Sequence, residues 1–161
     1  MNDSRGSETT NVRLRMQLLA ILVLGLLGTA AELLLAAHTE TLWQWTPLVL
    51  IGLALLNSIW ILASSGAAAI HSWRLLMVLF ILSGFTGLYL HGQAKVEFKK
   101  EADPSLGGPR LLWEAMRSIS PPALAPGFMI QAGLIGLLFT WRHPALNPDA
   151  SRTLKTTGEE K

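Results

Sequence analysis

The chain contains no cysteine. Disulfides, thiol redox chemistry and thiolate-held metals are therefore excluded, and with them the small four-helix membrane enzymes that work through a cysteine pair. Charge is scarce as well. Asp, Glu, Lys and Arg make up 15% of the 161 residues against 50% hydrophobic ones, a balance too apolar for an ordinary soluble domain of this length. Thirteen Lys and Arg against eleven Asp and Glu leave a formal charge of +2, and the charges lie between apolar blocks. Nothing in that distribution speaks for nucleic acid. Phosphate loops, zinc-protease helices and nucleophile elbows are also missing from the sequence.

What is there is four apolar blocks, each to be measured against a hydrocarbon core of about 30 Å, which takes roughly 20 helical residues to cross. The pattern predicts an all-α fold: a four-helix transmembrane bundle with spans at about 14–37, 47–64, 73–91 and 122–141. Between helices 3 and 4, Leu112, Ala115, Met116 and Ile119 recur at helical spacing, with Arg110, Glu114, Arg117 and Ser118 on the other side. That reads as a short amphipathic interfacial helix at about 109–119, lying on the membrane with Trp113 as its anchor. The membrane domain is expected over 12–146, between disordered polar tails at 1–11 and 147–161.

The first block follows Arg13 and imitates a signal peptide, with small residues at Gly28-Thr29-Ala30. Its apolar run continues through Leu33, Leu34 and Leu35, so a retained anchor is expected. Trp43 and Trp45 suit an interface, Pro47 suits the start of the second helix, and Ser64 to Ser72 reads as a small-residue loop before Trp73 and Arg74 anchor the third. From Pro126 to Trp141 the fourth helix would be about 24 Å long, short for a full crossing.

Orientation follows from Lys and Arg. With the N-terminus inside, Arg5, Arg13, Arg15, Arg74, Arg142, Arg152, Lys155 and Lys161 are cytoplasmic, and Lys95, Lys99, Lys100, Arg110 and Arg117 are outside. The residues beside the helix ends all fall on the inner side, which predicts both termini cytoplasmic in a multi-pass inner-membrane protein.

Glu32 is the one ionisable residue set well inside an apolar block, and an intramembrane acid is a functional-site hypothesis by default. It shares a helical face with Gly25, Gly28, Thr29 and Ala36, a small-residue stripe suited to close helix packing. Gly84, Gly87 and His91 form a similar line on the third helix, over which His91 can lean toward Glu32. Two readings of a Glu32/His91 pair stand side by side. One is a proton relay, ion site or polar ligand pocket; the other is a polar clasp between helices one and three, or a protonated Glu32 held by hydrogen bonds. His38, His91, Glu40 and Glu97 also ring the same mouth, making His38 and His91 candidate metal or haem ligands, although no ligand spacing supports this and no cofactor is expected. Asn57, Ser58 and Gln131 read as interhelical hydrogen-bonding groups, and His71 and His143 as solvated ends.

At Ala31-Glu32-Leu33, Gly87-Leu88-Tyr89-Leu90-His91, Pro121 to Gly127, Gln131 to Leu138 and Arg142-His143-Pro144 the chain resembles a group of small, uncharacterised bacterial four-span integral membrane proteins. The likeness covers most of residues 14–146 and implies a bacterial inner-membrane protein without implying an activity. The function expected is a non-catalytic accessory or structural subunit, partnered by the lipid bilayer and by copies of itself or a larger membrane complex. The alternatives are a small proton- or cation-coupled transport or ligand-binding protein using Glu32 and His91, and a haem- or metal-binding redox protein.

Overall fold

The computed structural model describes residues 3–36, 41–64, 66–117 and 124–146. They form five α-helices and one 3-10 turn: α1 Asp3–Leu35, α2 Leu42–Ser64, α3 Ala67–Ala102, α4 Gly108–Arg117, α5 Leu124–Phe139, and the turn Pro144–Leu146. No strand occurs among the described residues. Three helices are long and apolar enough to cross a membrane, Thr10–Leu35 within α1, Leu42–Ser64 and Ala67–Ala102. At 1.5 Å per residue the 16 residues of α5 cover about 24 Å.

Several boundaries differ from the sequence expectation. Residues 3–11, expected as a disordered tail, continue α1; extending a formed helix adds one hydrogen bond per residue, whereas nucleating one is costly. The second helix starts at Leu42, not Pro47. Thr41 is its N-cap and Gln44 reaches back to accept the Thr41 N–H at 3.0 Å, half of a capping box. Pro47 thus lies inside the helix and cannot donate the ladder bond to the Trp43 carbonyl. Residues 67–72, expected as loop, already belong to α3, with Gly66 as an extended N-cap. The third helix also runs eleven residues past His91. Its 36 residues make a rod of about 54 Å.

That extension ends at Asp103-Pro104. The Asp103 carboxylate accepts from the Ser105 N–H and hydroxyl at 3.0 and 2.6 Å, and those bonds hold its carboxyl below the usual range. The turn sends α4 back along α3. Ala115, the buried residue of α4, packs there, and Leu112 and Met116 face Leu88, Gly92 and Val96 across a groove. The expected interfacial helix is therefore present as a helix, but it docks on α3 and leaves Leu112, Trp113 and Met116 exposed.

Helix α1 packs on α2 and α5, and α3 packs on α2, α5 and α4. This places α1 and α3 across the diagonal of the bundle, with α5 antiparallel between them. The α3/α5 seam is the closest. A Cβ added at Gly84 would stand 2.7 Å from the Pro126 carbonyl oxygen, and one at Gly133 would stand 2.7 Å from the Met77 carbonyl oxygen. Each helix thus offers a glycine to the other's backbone, the means by which membrane helices gain van der Waals contact. Trp73, expected at an interface, is instead fully buried below this seam, donating its indole N–H to the Gly136 carbonyl at 3.0 Å. Asn57 ties α2 to α3: with its amide oxygen turned toward α3 it accepts from the Trp73 N–H and the Ser72 hydroxyl, and its nitrogen donates to the Ala69 carbonyl. Ser58 bonds within its own helix, to Leu55, and Gln131 is exposed.

Candidate functional site

The buried residues of α3 stop at Gly84. Around that level a cavity of about 500 Å³ opens between α2, α3, the start of α5 and Leu33 of α1. Leu33, Leu50, Leu79, Leu82 and Met129 supply apolar walls; Thr41, Gln44, Thr46, Thr86 and His91 bring polar atoms to its border. The local folding explains this placement. The Thr41/Gln44 cap fixes the amino end of α2 beside the opening, and Pro126 fills the notch above Gly87, where an added Cβ would meet the ring at 3.1 Å. The Thr46 and Thr86 hydroxyls donate to the Leu42 and Leu82 carbonyls one turn back, at 3.3 and 2.9 Å. Their donors are spent, so they offer the cavity oxygen lone pairs.

His91 lines this cavity and is half-buried. Glu32 does not line it. Leu33 beside it points in, whereas Glu32 is exposed, about 100° further round α1. The small residues expected to bring helices one and three together serve other contacts: Gly84 and Gly87 face α5, Gly25 faces Phe128 of α5, and a Cβ at Gly28 would meet nothing within 4 Å. Glu32 also stands three residues before the end of α1, about 4.5 Å along the axis, so it belongs to the rim of the span rather than to its middle. Of the candidate metal ligands, His38 and Glu40 lie outside the described residues. Among the described residues no three of His, Cys, Asp or Glu come together.

No family model matches the chain, and neither a curated protein nor a solved structure matches it. The arrangement of side chains is therefore the whole basis for a functional reading.

The opposite end of the bundle is closed and cationic. Arg15 of α1 donates through Nη2 to the Trp141 and Arg142 carbonyls at 3.1 and 2.9 Å. Arg74 of α3 donates through Nε to the Thr140 hydroxyl and through Nη2 to the Thr140 carbonyl, both at 3.1 Å. Two guanidinium groups thus take up the carbonyls that follow the last turn of α5, which the helix itself leaves unbonded. His143, expected to be solvated, is half-buried against Phe139 with ring centroids 5.8 Å apart. Its Nδ1 accepts the Ala145 N–H at 3.2 Å, so the neutral ring carries its proton on Nε2. Burial first, and then the charges of Arg15 and Arg74, push its pKa below the ordinary histidine value.

Sequence reasoning found His91 but not the cavity partners Gln44, Thr86 and Pro126. The Thr41-x-x-Gln44 capping box was the available signal for the first. No local signal marks the others, which depend on where α5 packs.

Proposed function

We propose that this chain is a small, non-enzymatic integral membrane protein that holds an amphiphile in the cavity between α2, α3 and α5. The single-chain apolar part would lie against Leu50, Leu79 and Met129, and the polar head would meet Thr41, Gln44 and His91. The observation that carries this reading is the cavity itself. Its volume of about 500 Å³ falls in the range of small-molecule sites, and its mainly apolar wall with a few polar groups fits that class of ligand. In this reading α5 is a fourth crossing, antiparallel to α3, and the arginine end faces the cytoplasm in keeping with the positive-inside bias. The role of His91 as a polar contact is retained from the sequence; a direct Glu32/His91 relay is not.

The test is photolabelling in nanodiscs with a diazirine-bearing single-chain lipid. Label is expected on Leu50, Leu79 and Met129 and should be lost when Thr86→Trp fills the opening. Equal labelling of outward residues such as Leu24 and Leu56, unchanged by Thr86→Trp, would refute it.

A second reading, an accessory subunit docking on a partner, is favoured by one observation. Gly28, Ala31 and Glu32 form an exposed face of α1 with open space over Gly28. A carboxyl on such a face is better covered by another helix than left toward lipid. Glu32→Gln should then shift the protein from an oligomer or complex to a monomer in mild detergent, without changing labelling of the cavity.

A further inference from the structure

The arginine end of the bundle carries more positive charge than its structural task uses. Arg15, Arg74 and Arg142 meet around residues 140–143. The hydrogen bonds of the first two go to carbonyl oxygens and the Thr140 hydroxyl, all neutral groups, and the end of a helix supplies only about half a negative charge. The carboxylates whose side chains are described are Glu32, Glu97, Glu101, Asp103 and Glu114, all placed on α1 near its far end, on the α3 extension or on the α4 hairpin. None stands at the arginine end. Arg15 Nη1 is moreover buried without a hydrogen-bond partner among the described residues. Among the described side chains no anion faces this group, and a buried donor of a cation is best satisfied by an anion nearby.

The backbone supplies an independent observation. Arg142, three residues past the end of α5, has φ 48°, in the left-handed region that favours glycine or asparagine. The left-handed backbone there costs an L side chain conformational energy that glycine would not bear. Here it keeps an exposed guanidinium at the end of α5 while its carbonyl is gripped by Arg15.

The level is that of lipid headgroups. The 20 residues from Met16 to Leu35 cover about 30 Å, the thickness of the hydrocarbon core, which leaves Arg15 and the residues bonded to it at the phosphate plane. We propose that the arginine end binds the phosphate of an anionic phospholipid, with Arg142 as the donor open to the ligand and Arg15 and Arg74 as fixed charge behind it. Arginine's planar donor pair matches a phosphate oxygen pair, and a headgroup with no ammonium of its own leaves that negative charge whole.

This site is separate from the cavity and is tested separately. The purified protein is released from an uncharged detergent in native mass spectrometry after equilibration with phosphatidylglycerol or phosphatidylcholine of the same acyl chains. The wild type should retain phosphatidylglycerol preferentially. Arg142→Asn, whose side chain tolerates the left-handed backbone, should weaken that retention about tenfold, the size of one charge-assisted hydrogen bond. Arg110→Asn, at the far end of the molecule, should leave it unchanged. Arg142→Gly is the second variant, since it fits the same backbone should the first not insert. Equal retention of the two lipids would overturn the proposal. So would full preference in both Arg142 variants, or an equal loss in Arg110→Asn. If millimolar inorganic phosphate displaces phosphatidylglycerol and itself protects the wild type but not Arg142→Asn from thermal unfolding, the ligand is free phosphate, and the lipid assignment fails.

Discussion

Replacing Gly133 by alanine puts one methyl group where the α3 backbone already is. The new Cβ would lie 2.7 Å from the Met77 carbonyl oxygen, 2.6 Å from Ile81 Cγ1 and 3.2 Å from the Ile81 nitrogen. Two of these neighbours are backbone atoms of a helix, so rotamer changes cannot relieve the contact. Restoring ordinary van der Waals separation requires α3 and α5 to part by most of an ångström. Overpacking of this kind costs about 1–3 kcal/mol; a glycine-to-alanine change inside a helix returns about 0.5–1 kcal/mol in propensity, but Gly28→Ala gains that too, so Gly133→Ala should be less stable than Gly28→Ala by about 1–3 kcal/mol. Gly84→Ala meets the mirror image of this contact at Pro126 and Ile130 and should cost a similar amount. The pair supplies the sharper test. Once one methyl has moved the helices apart, the second finds room, so Gly84→Ala/Gly133→Ala should cost clearly less than the sum of the two. Gly28→Ala, with open space around its Cβ, is the control and should not destabilise. Reversible unfolding in mixed micelles, followed by circular dichroism, reads all four variants. If Gly133→Ala were as stable as Gly28→Ala, or if the double variant were additive, the close α3/α5 seam would be wrong.

Asn57→Ala removes a buried amide that joins α2 to α3 and should cost about 1 kcal/mol in the same unfolding assay, near the upper part of the range for interhelical hydrogen bonds in membranes. The depressed pKa of His143 sets a pH dependence: the unfolded chain binds a proton below the ordinary value of 6.5 and the folded one resists it. Stability should therefore be level above that pH and fall as the pH drops from it toward the lowered folded value, a slope that His143→Leu should flatten. Glu32→Gln should leave unfolding of the monomer within about 0.5 kcal/mol of wild type, because the carboxyl is exposed, while sedimentation in mild detergent reports whether it matters to association.

The apolar blocks were legible because helix length and hydropathy are local properties. Helix ends were less so, and for identifiable reasons. Lys95, Glu97, Lys99, Lys100 and Glu101 resembled a loop by charge, yet no residue between Gly92 and Pro104 breaks a helix, and charged side chains are at home on a helix in water. Pro47 resembled a start because proline suits a first turn, but the Thr41/Gln44 cap sets the start five residues earlier. Trp73 resembled an anchor because Arg74 follows it; in fact its indole N–H finds the Gly136 carbonyl inside the bundle. Whether the Glu32 and His91 stripes face each other is set by long-range packing. Matching small-residue stripes on two helices do not say which helices they face, and α5, distant in sequence, takes both.

The uninterrupted passage of α3 through His91 to Ala102 also has a mechanical meaning. The helix is held by α5 at Gly84 and again at Gly87, and beyond them, among the described residues, only α4, which it carries at its own far end, packs on it, so it behaves as a lever with its pivot at Gly87. Four residues separate the pivot from His91 and sixteen from Asp103, arms of about 6 and 24 Å. A tilt of about 10° would then move the Asp103 turn by about 4 Å and His91 by about 1 Å. Force applied to the α3–α4 hairpin is thus geared down about fourfold and delivered at the border of the cavity, as a shift of the size that decides whether a hydrogen bond to His91 is made.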